Sequence, residues 1–396
     1  MRCLCFILLC ATAILFSHAT AIAQSEKVKA AMQPFVDGGE VAGVVTFIGS
    51  RDGVLDVQVL GMADIEKQLP MKRDTIFRIA SMTKPVTALA VMQLVEQGKI
   101  NVEDPVEKHL PEFKGQMLAA SRDKDTVVLK KPSRPVAVKD LLTHTSGLPN
   151  YPSGLADVYQ KRHRTLSETT IAISQSPLDF EPGSRWSYCN PGIDTLGRVV
   201  EVVSGMPYDK YLAANIFEPL GMVDTTPYPT PEQLKRLAVT YGKENGKLVA
   251  RPGGVLDYLA GAKHPVPAGG LFSTGDDLAR LYQCFLNRGT LDGRKIIGEQ
   301  TLADMTTVHT GELKAGFIEG SAWGYGFGLV KEPKGVAESL AAGTFGHGGA
   351  YGTQGWIDPT NGIYTILLLQ RVGLPNSDGS ALRKALHDSA LGLRPK

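Results

Sequence analysis

Apolar residues between Ser25 and Val36 recur on one face, at Val28, Ala31, Met32 and Phe35, a spacing that predicts an amphipathic helix. Two β-branched runs follow, Val41–Ile48 and Val54–Leu60, joined at Arg51-Asp52-Gly53. An Asp-Gly between such runs is a hairpin signal. Thr75–Ala80 is a further strand-like run. From Met82 to Gln97 the apolar positions (Val86, Ala88, Leu89, Ala90, Val91, Met92, Leu94, Val95) go nearly all round, which predicts a buried helix ended by Gly98. Helical patterns then dominate from about residue 85 to residue 310, broken by proline and glycine clusters. Ala137–Leu142, Asp194–Ser204, Tyr208–Leu220 and Thr274–Asn287 are the clearest. Lys124–Arg134 is polar and contains proline, and reads as a surface loop. Strand character returns at Tyr325–Val330, Gly355–Ile357 and Ile363–Gln370, and a helix over Ser380–Leu391 closes the chain.

The two ends are thus αβ and the middle mostly helical. Terminal strands with no local partners are expected to pair with each other, giving an antiparallel sheet flanked by the terminal helices. The expected fold is α/β (α+β), with a sheet lobe from about 24–84 and 311–396 and a helical lobe from about 85–310. A cleft between two lobes is the usual place for a site. Length alone gives a prior of two to three units for 396 residues; this pattern replaces it with one two-lobed domain, without internal repeats.

Residues 1–23 stand outside that scheme. Met1-Arg2, an apolar run from Cys3 to Phe16 and Ala21-Ile22-Ala23 form a signal-peptide pattern, so the protein is expected to be exported, periplasmic or secreted, without stable membrane insertion after cleavage. Cys3, Cys5 and Cys10 leave with it. Cys189 and Cys284 remain and read by default as two buried thiols, although spacing leaves a bridge between them open. With 42 Lys plus Arg against 40 Asp plus Glu, no basic footprint for nucleic acid exists. Glycine, 43 residues of the chain, is in surplus and predicts tight turns and close backbone approaches.

The candidate chemistry narrows by elimination. Eight scattered histidines without metal-ligand spacing predict no metal site, and no phosphate-cradling glycine motif predicts a nucleotide cofactor; none is expected. Gly324-Tyr-Gly-Phe-Gly328 falls in a strand pattern and marks a close backbone approach. No serine is flanked as G-x-S-x-G. Serine with lysine three residues on occurs twice, as Ser81-Met-Thr-Lys84 and Ser121-Arg-Asp-Lys124. Ser121 lies in a charged loop, where its lysine stays solvated and protonated. Ser81 opens the buried helix, so Ser81 and Lys84 share one face a turn apart. Burial there lowers an ammonium's pKa towards that of a working base, and the helix N-terminus offers N–H groups to an oxyanion. These residues alone equally suit an N-cap serine beside a snorkelling lysine.

Two further segments separate the readings. Tyr188-Cys189-Asn190 follows the turn Glu181-Pro-Gly-Ser184, and Phe345-Gly-His347-Gly-Gly-Ala-Tyr-Gly352 lies among the C-terminal strands. With these the chain resembles the serine β-lactamase and penicillin-binding protein superfamily in its class C branch, which includes D-alanyl-D-alanine peptidases, D-aminopeptidases and family VIII esterases. That superfamily carries S-x-x-K, Y-x-N and K-T-G or a variant of it. Leu141–Leu148, Ile216–Met222 and Ala268–Gly275 resemble further signatures of the branch, in order along residues 25 to 370.

The resemblance implies that Ser81 is the acylated nucleophile, Lys84 its hydrogen-bonded neighbour and Tyr188 the general base or proton relay. It also implies that Asn190, His347, Gly348 and Gly349 meet the substrate, with glycines letting it lie against an edge strand. The backbone N–H groups of Ser81 and Ala350 would form the oxyanion hole. Tyrosine ordinarily titrates near 10 and needs a nearby positive charge to act as a base. His144, in the Thr-His-Thr-Ser-Gly segment, reads as structural. His347 stands where the family usually has lysine; a neutral, shorter side chain weakens recognition of a substrate carboxylate. The expected partner is therefore a small ester or amide: an ester first, a D-amino-acid peptide second, a β-lactam third. A catalytically silent cell-envelope binding protein is the rival reading, against which the combination of Ser81, Lys84 and Tyr188 argues.

Overall fold

A computed structural model describes residues 23–150, 162–254, 256–374 and 377–394. The expected leader thus lies, apart from Ala23, outside the described residues. Residues 23–37 form helix α1, whose Val28 and Met32 are fully buried as the one-faced spacing requires. Strands β1 (Gly43–Ser50) and β2 (Gly53–Asp64) follow as a hairpin turning at Arg51-Asp52, and β3 (Leu69–Pro70) pairs with β2. The other strands of this sheet come from the far end of the sequence: β4 (Ser321–Trp323), β5 (Gly328–Val330), β6 (Phe345–Gly348), β7 (Gln354–Asp358) and β8 (Ile363–Leu368). Their order is β4-β5-β6-β7-β8-β1-β2-β3, antiparallel throughout. The two ends of the chain meet where β1 pairs with β8, Val45 opposite Leu368 and Ser50 opposite Ile363.

Successive β1 residues point to opposite faces, and both faces are covered. Val44 and Ile48 join Val28 and Met32 of α1 and Leu382 and Leu386 of α5 (Ala381–Ala390) in one apolar cluster. Val45 and Phe47 enter the larger cluster with α2 (Thr83–Glu96), α3 (Asn190–Ser204) and α4 (Gly275–Leu286). The sheet is therefore a middle layer between the terminal helices and the central ones. Helix α4 approaches so closely that a Cβ on Gly275 would lie 2.1 Å from the Phe47 ring.

The middle of the chain is less uniformly helical than its pattern predicts. Lys124–Arg134 is not a plain loop, because Val127–Lys130 pairs with Leu118–Arg122 in a hairpin. Within Thr75–Ala80 the ladder is confined to Phe77–Arg78 against Phe272–Ser273, with a single bridge from Ile76 to Leu237. The Tyr208–Leu220 helix is interrupted by a π turn over Ala213–Phe217. The strand expected at Tyr325–Val330 starts only at Gly328. Gly324–Phe327 is instead a turn, with Gly326 at φ 77°. The close approach is real nonetheless: a Cβ on Gly326 would lie 2.3 Å from that of Ala88 in α2. Among the described residues no helix is long and apolar enough to cross a membrane.

Candidate active site

Ser81 sits in a 3₁₀ turn, Ala80–Met82, that runs directly into α2. The Ile79 N–H donates to Leu271 O, and Ala80 adopts φ 47°, a left-handed conformation uncommon for a residue with a Cβ. Because α2 is apolar nearly all round, Lys84 is carried into the core and is wholly buried. Its Nζ lies 3.0 Å from Ser81 Oγ, 2.7 Å from Asn190 Oδ1 and 2.7 Å from Ala268 O. Burial pulls the Lys84 ammonium down to about 7, with the nearby Asp194 carboxylate opposing it. An ammonium has three N–H groups for these three acceptors. The neutral amine has two, and donating them to Asn190 Oδ1 and Ala268 O leaves its lone pair facing Ser81 Oγ. By contrast, Ser121 and Lys124 lie in and beside the exposed hairpin.

Tyr188 and Asn190 flank Cys189, the N-cap of α3, whose Sγ accepts from Gly192 N–H. Burial raises the Cys189 thiol to about 12, so it is no competing nucleophile. Neither Cys189 nor Cys284 is in a disulfide. The Tyr188 ring centroid lies 4.6 Å from Lys84 Nζ. His144 secures this segment as a structural residue: its Nδ1 accepts from Cys189 N–H at 3.1 Å and its carbonyl accepts from Ser187 N–H. Burial holds the His144 imidazole neutral, and its ring lies 4.5 Å from that of Tyr188. Asn150 Oδ1 accepts from Asn190 N–H. One turn along α3, Asp194 Oδ1 accepts from Ala268 N–H at 2.9 Å and so anchors the residue whose carbonyl accepts from Lys84.

The third motif forms the end of β6. His347 is buried, its Nδ1 2.6 Å from Gly348 O, and burial together with the Lys84 charge holds it down near 3. It is neutral at any ordinary pH. The motif is not on an edge strand as expected, since β6 lies between β5 and β7. Its ladder with β5, however, ends at Gly346, just before His347. The two glycines have reasons of their own. A Cβ on Gly348 would lie 2.0 Å from Asp378 Oδ1, and one on Gly349 would lie 2.1 Å from Thr353 Oγ1 and 2.6 Å from Ile79 O. Glycine at 349 lets β6 abut the Ser81 turn, with Ala350 following, exposed, in the next turn.

Serine, lysine, tyrosine, asparagine and histidine from three distant segments thus converge. Three supports escape sequence reasoning, Asn150, Asp194 and Ala268, while His144 is the structural residue that its segment implies. Asp194 carries a local signal, four residues after Asn190 on one helical face. The aromatic surround is also missed. Trp186, Phe317 and Trp323 ring Tyr188 with centroids 6.3, 4.9 and 6.1 Å away. Trp186 lies two residues before Tyr188 in the segment that leads into α3.

With that geometry in place, the Beta-lactamase family profile matches residues 28–389. The chain belongs to the beta-lactamase family. It is an enzyme, a serine hydrolase of that fold. Esterase EstB of Burkholderia gladioli is 30% identical to this chain over 380 residues, covering 88% of this chain and 91% of that protein. The solved structure of EstCE1, a hydrolase with promiscuous acyltransferase activity, superposes with a TM-score of 0.77 at 26% identity, over 93% of this chain and 99% of that one. A penicillin-binding protein homologue from Pyrococcus abyssi gives a TM-score of 0.69 at 28% identity, over 90% and 75% of the two chains.

Proposed function

We propose that this family member hydrolyses small esters through an acyl-enzyme on Ser81. The observation that carries the reading is the Lys84 amine, buried, drawn down to about 7 and 3.0 Å from Ser81 Oγ. In the neutral state its lone pair accepts the Ser81 proton as Oγ bonds to the substrate carbonyl carbon. The tetrahedral oxyanion is received by the backbone N–H groups of Ser81 and Ala350. Collapse breaks the ester C–O bond, and the proton held on Lys84 passes through the Tyr188 hydroxyl to the leaving alkoxide. Water then attacks the acyl-enzyme, its proton returning by the same route, and frees the acid and Ser81. Asn190 keeps the lysine aimed through its Oδ1 and has its amide N–H groups for the substrate.

His347 favours esters over carboxylate-bearing substrates, because a buried imidazole held near 3 has no charge to offer a carboxylate. Similarity to EstB supports the same choice. Turnover of p-nitrophenyl acetate, a chromogenic cephalosporin and a D-alanyl-D-alanine peptide on one preparation tests it. The ester is expected to be cleaved fastest; fast cephalosporin or peptide turnover with negligible ester cleavage overturns the reading. The leader pattern of residues 1–23 supports export, and a mature chain beginning at Gln24 is the mass-spectrometric expectation.

A further inference from the structure

The aromatic residues beside Tyr188 have no part in that proton path, and the proposal they support rests on the ester-hydrolase reading above. If Tyr188 returns a proton to the leaving alkoxide, the alcohol oxygen must come within hydrogen-bond reach of its hydroxyl. The group attached to that oxygen then lies against whatever surrounds the Tyr188 ring. Two sides are already occupied, by Lys84 Nζ at 4.6 Å from the centroid and the His144 ring at 4.5 Å. Around the same ring stand Phe317, edge-on to Tyr188 at 4.9 Å, and Trp186, edge-on to Phe317 at 5.6 Å and 6.2 Å from His144. Trp323 backs both, 5.3 Å from Trp186 and 6.3 Å from Phe317.

Trp323 is buried, Trp186 and Tyr188 are partly open and Phe317 is 44% exposed. A large apolar ring held half in water beside a buried aromatic cluster is a surface that gains by being covered. The neighbouring histidines are both held neutral by burial, and the charged groups that line a cavity with Phe317 and Trp323 are already engaged, Arg383 over the Trp356 ring and Asp378 with Gln354.

We propose that Trp186, Phe317 and Trp323 form a recognition wall for the alcohol moiety of the ester, and that the alcohol it takes is aromatic. A flat ring stacks or packs edge-on there, in the offset and T-shaped arrangements that these rings already adopt among themselves. Contact with the leaving group places the wall's effect on the acylation step. The acyl group, once on Ser81, no longer touches it.

Benzyl acetate and ethyl acetate test this, because they share an acyl group and release alcohols of similar acidity, so their difference reads recognition rather than leaving-group chemistry. The wild-type protein is expected to prefer benzyl acetate in kcat/KM by on the order of tenfold or more, mostly through KM. Phe317→Ala lowers that ratio severalfold, and Phe317→Tyr keeps it. Equal kcat/KM for the two esters in the wild type overturns the proposal. So does a Phe317→Ala variant that slows both esters by one common factor. Failure of the underlying reading has a different signature, hydrolysis of both esters that survives Ser81→Ala, and it removes the proposal with it.

Discussion

In the proposed mechanism a single buried amine decides how this site works. Lys84 is wholly buried among three oxygen acceptors, and its pKa of about 7 lies far below that of a solvated lysine. Only its neutral form has a lone pair for the Ser81 proton, so kcat/KM should rise with pH through the region of 7 and flatten above it. His347, held near 3, adds no second limb above pH 5. Replacing Lys84 by methionine fills the same volume without a base and is expected to lower kcat for p-nitrophenyl acetate by roughly a thousandfold. Asp194 is a positioning residue with a sharper signature. Its charge raises the Lys84 pKa, so Asp194→Asn should move the acid limb of the kcat/KM profile to lower pH. A variant merely damaged in folding would lower activity at every pH and leave the limb in place.

At the scale of elements, the site depends on β6 meeting the turn before α2. Gly349 makes that contact possible, since a Cβ there would run into Thr353 Oγ1 and Ile79 O. Gly349→Ala should push the strand end off the Ser81 turn and reduce kcat by about a hundredfold, because a shift near 1 Å in reacting groups has that effect. The melting temperature should change far less; an unaltered kcat would contradict the account. Much at this scale is legible in the sequence. Ser81 and Lys84 are a turn apart on a helix whose all-round apolar composition announces burial, α1 follows from periodicity, and β1 and β2 follow from their β-branched runs around Asp52-Gly53. The hairpin of Leu118–Arg122 and Val127–Lys130 is not, because residues 120–122 and 127–130 are exposed on both faces and show no alternation. Nor is the Asp194-to-Ala268 bond or the Phe317 wall, since contacts made across long sequence separations leave no local pattern.

At the scale of the whole molecule, the first and last elements complete one another. Neither β1 nor β8 has a full set of partners without the opposite end of the chain, and α1 and α5 share the cluster that seals that face. Leu386, 1% exposed between them, is a direct probe. Leu386→Ala should cost about 2–5 kcal/mol in denaturant unfolding. A near-neutral substitution would mean that the terminal helices are not part of the cooperative core. The sequence pattern already implies this closure, because terminal strands lack local partners; its register and the side that each helix covers emerge only from packing.

The central claim, that Ser81 is the acylated nucleophile, is tested most directly by a fluorophosphonate that labels activated serines. Intact-mass measurement of the wild-type protein should show one adduct, located on Ser81 by peptide sequencing and abolished by Ser81→Ala. Equal labelling of both proteins, or labelling of neither, would contradict it.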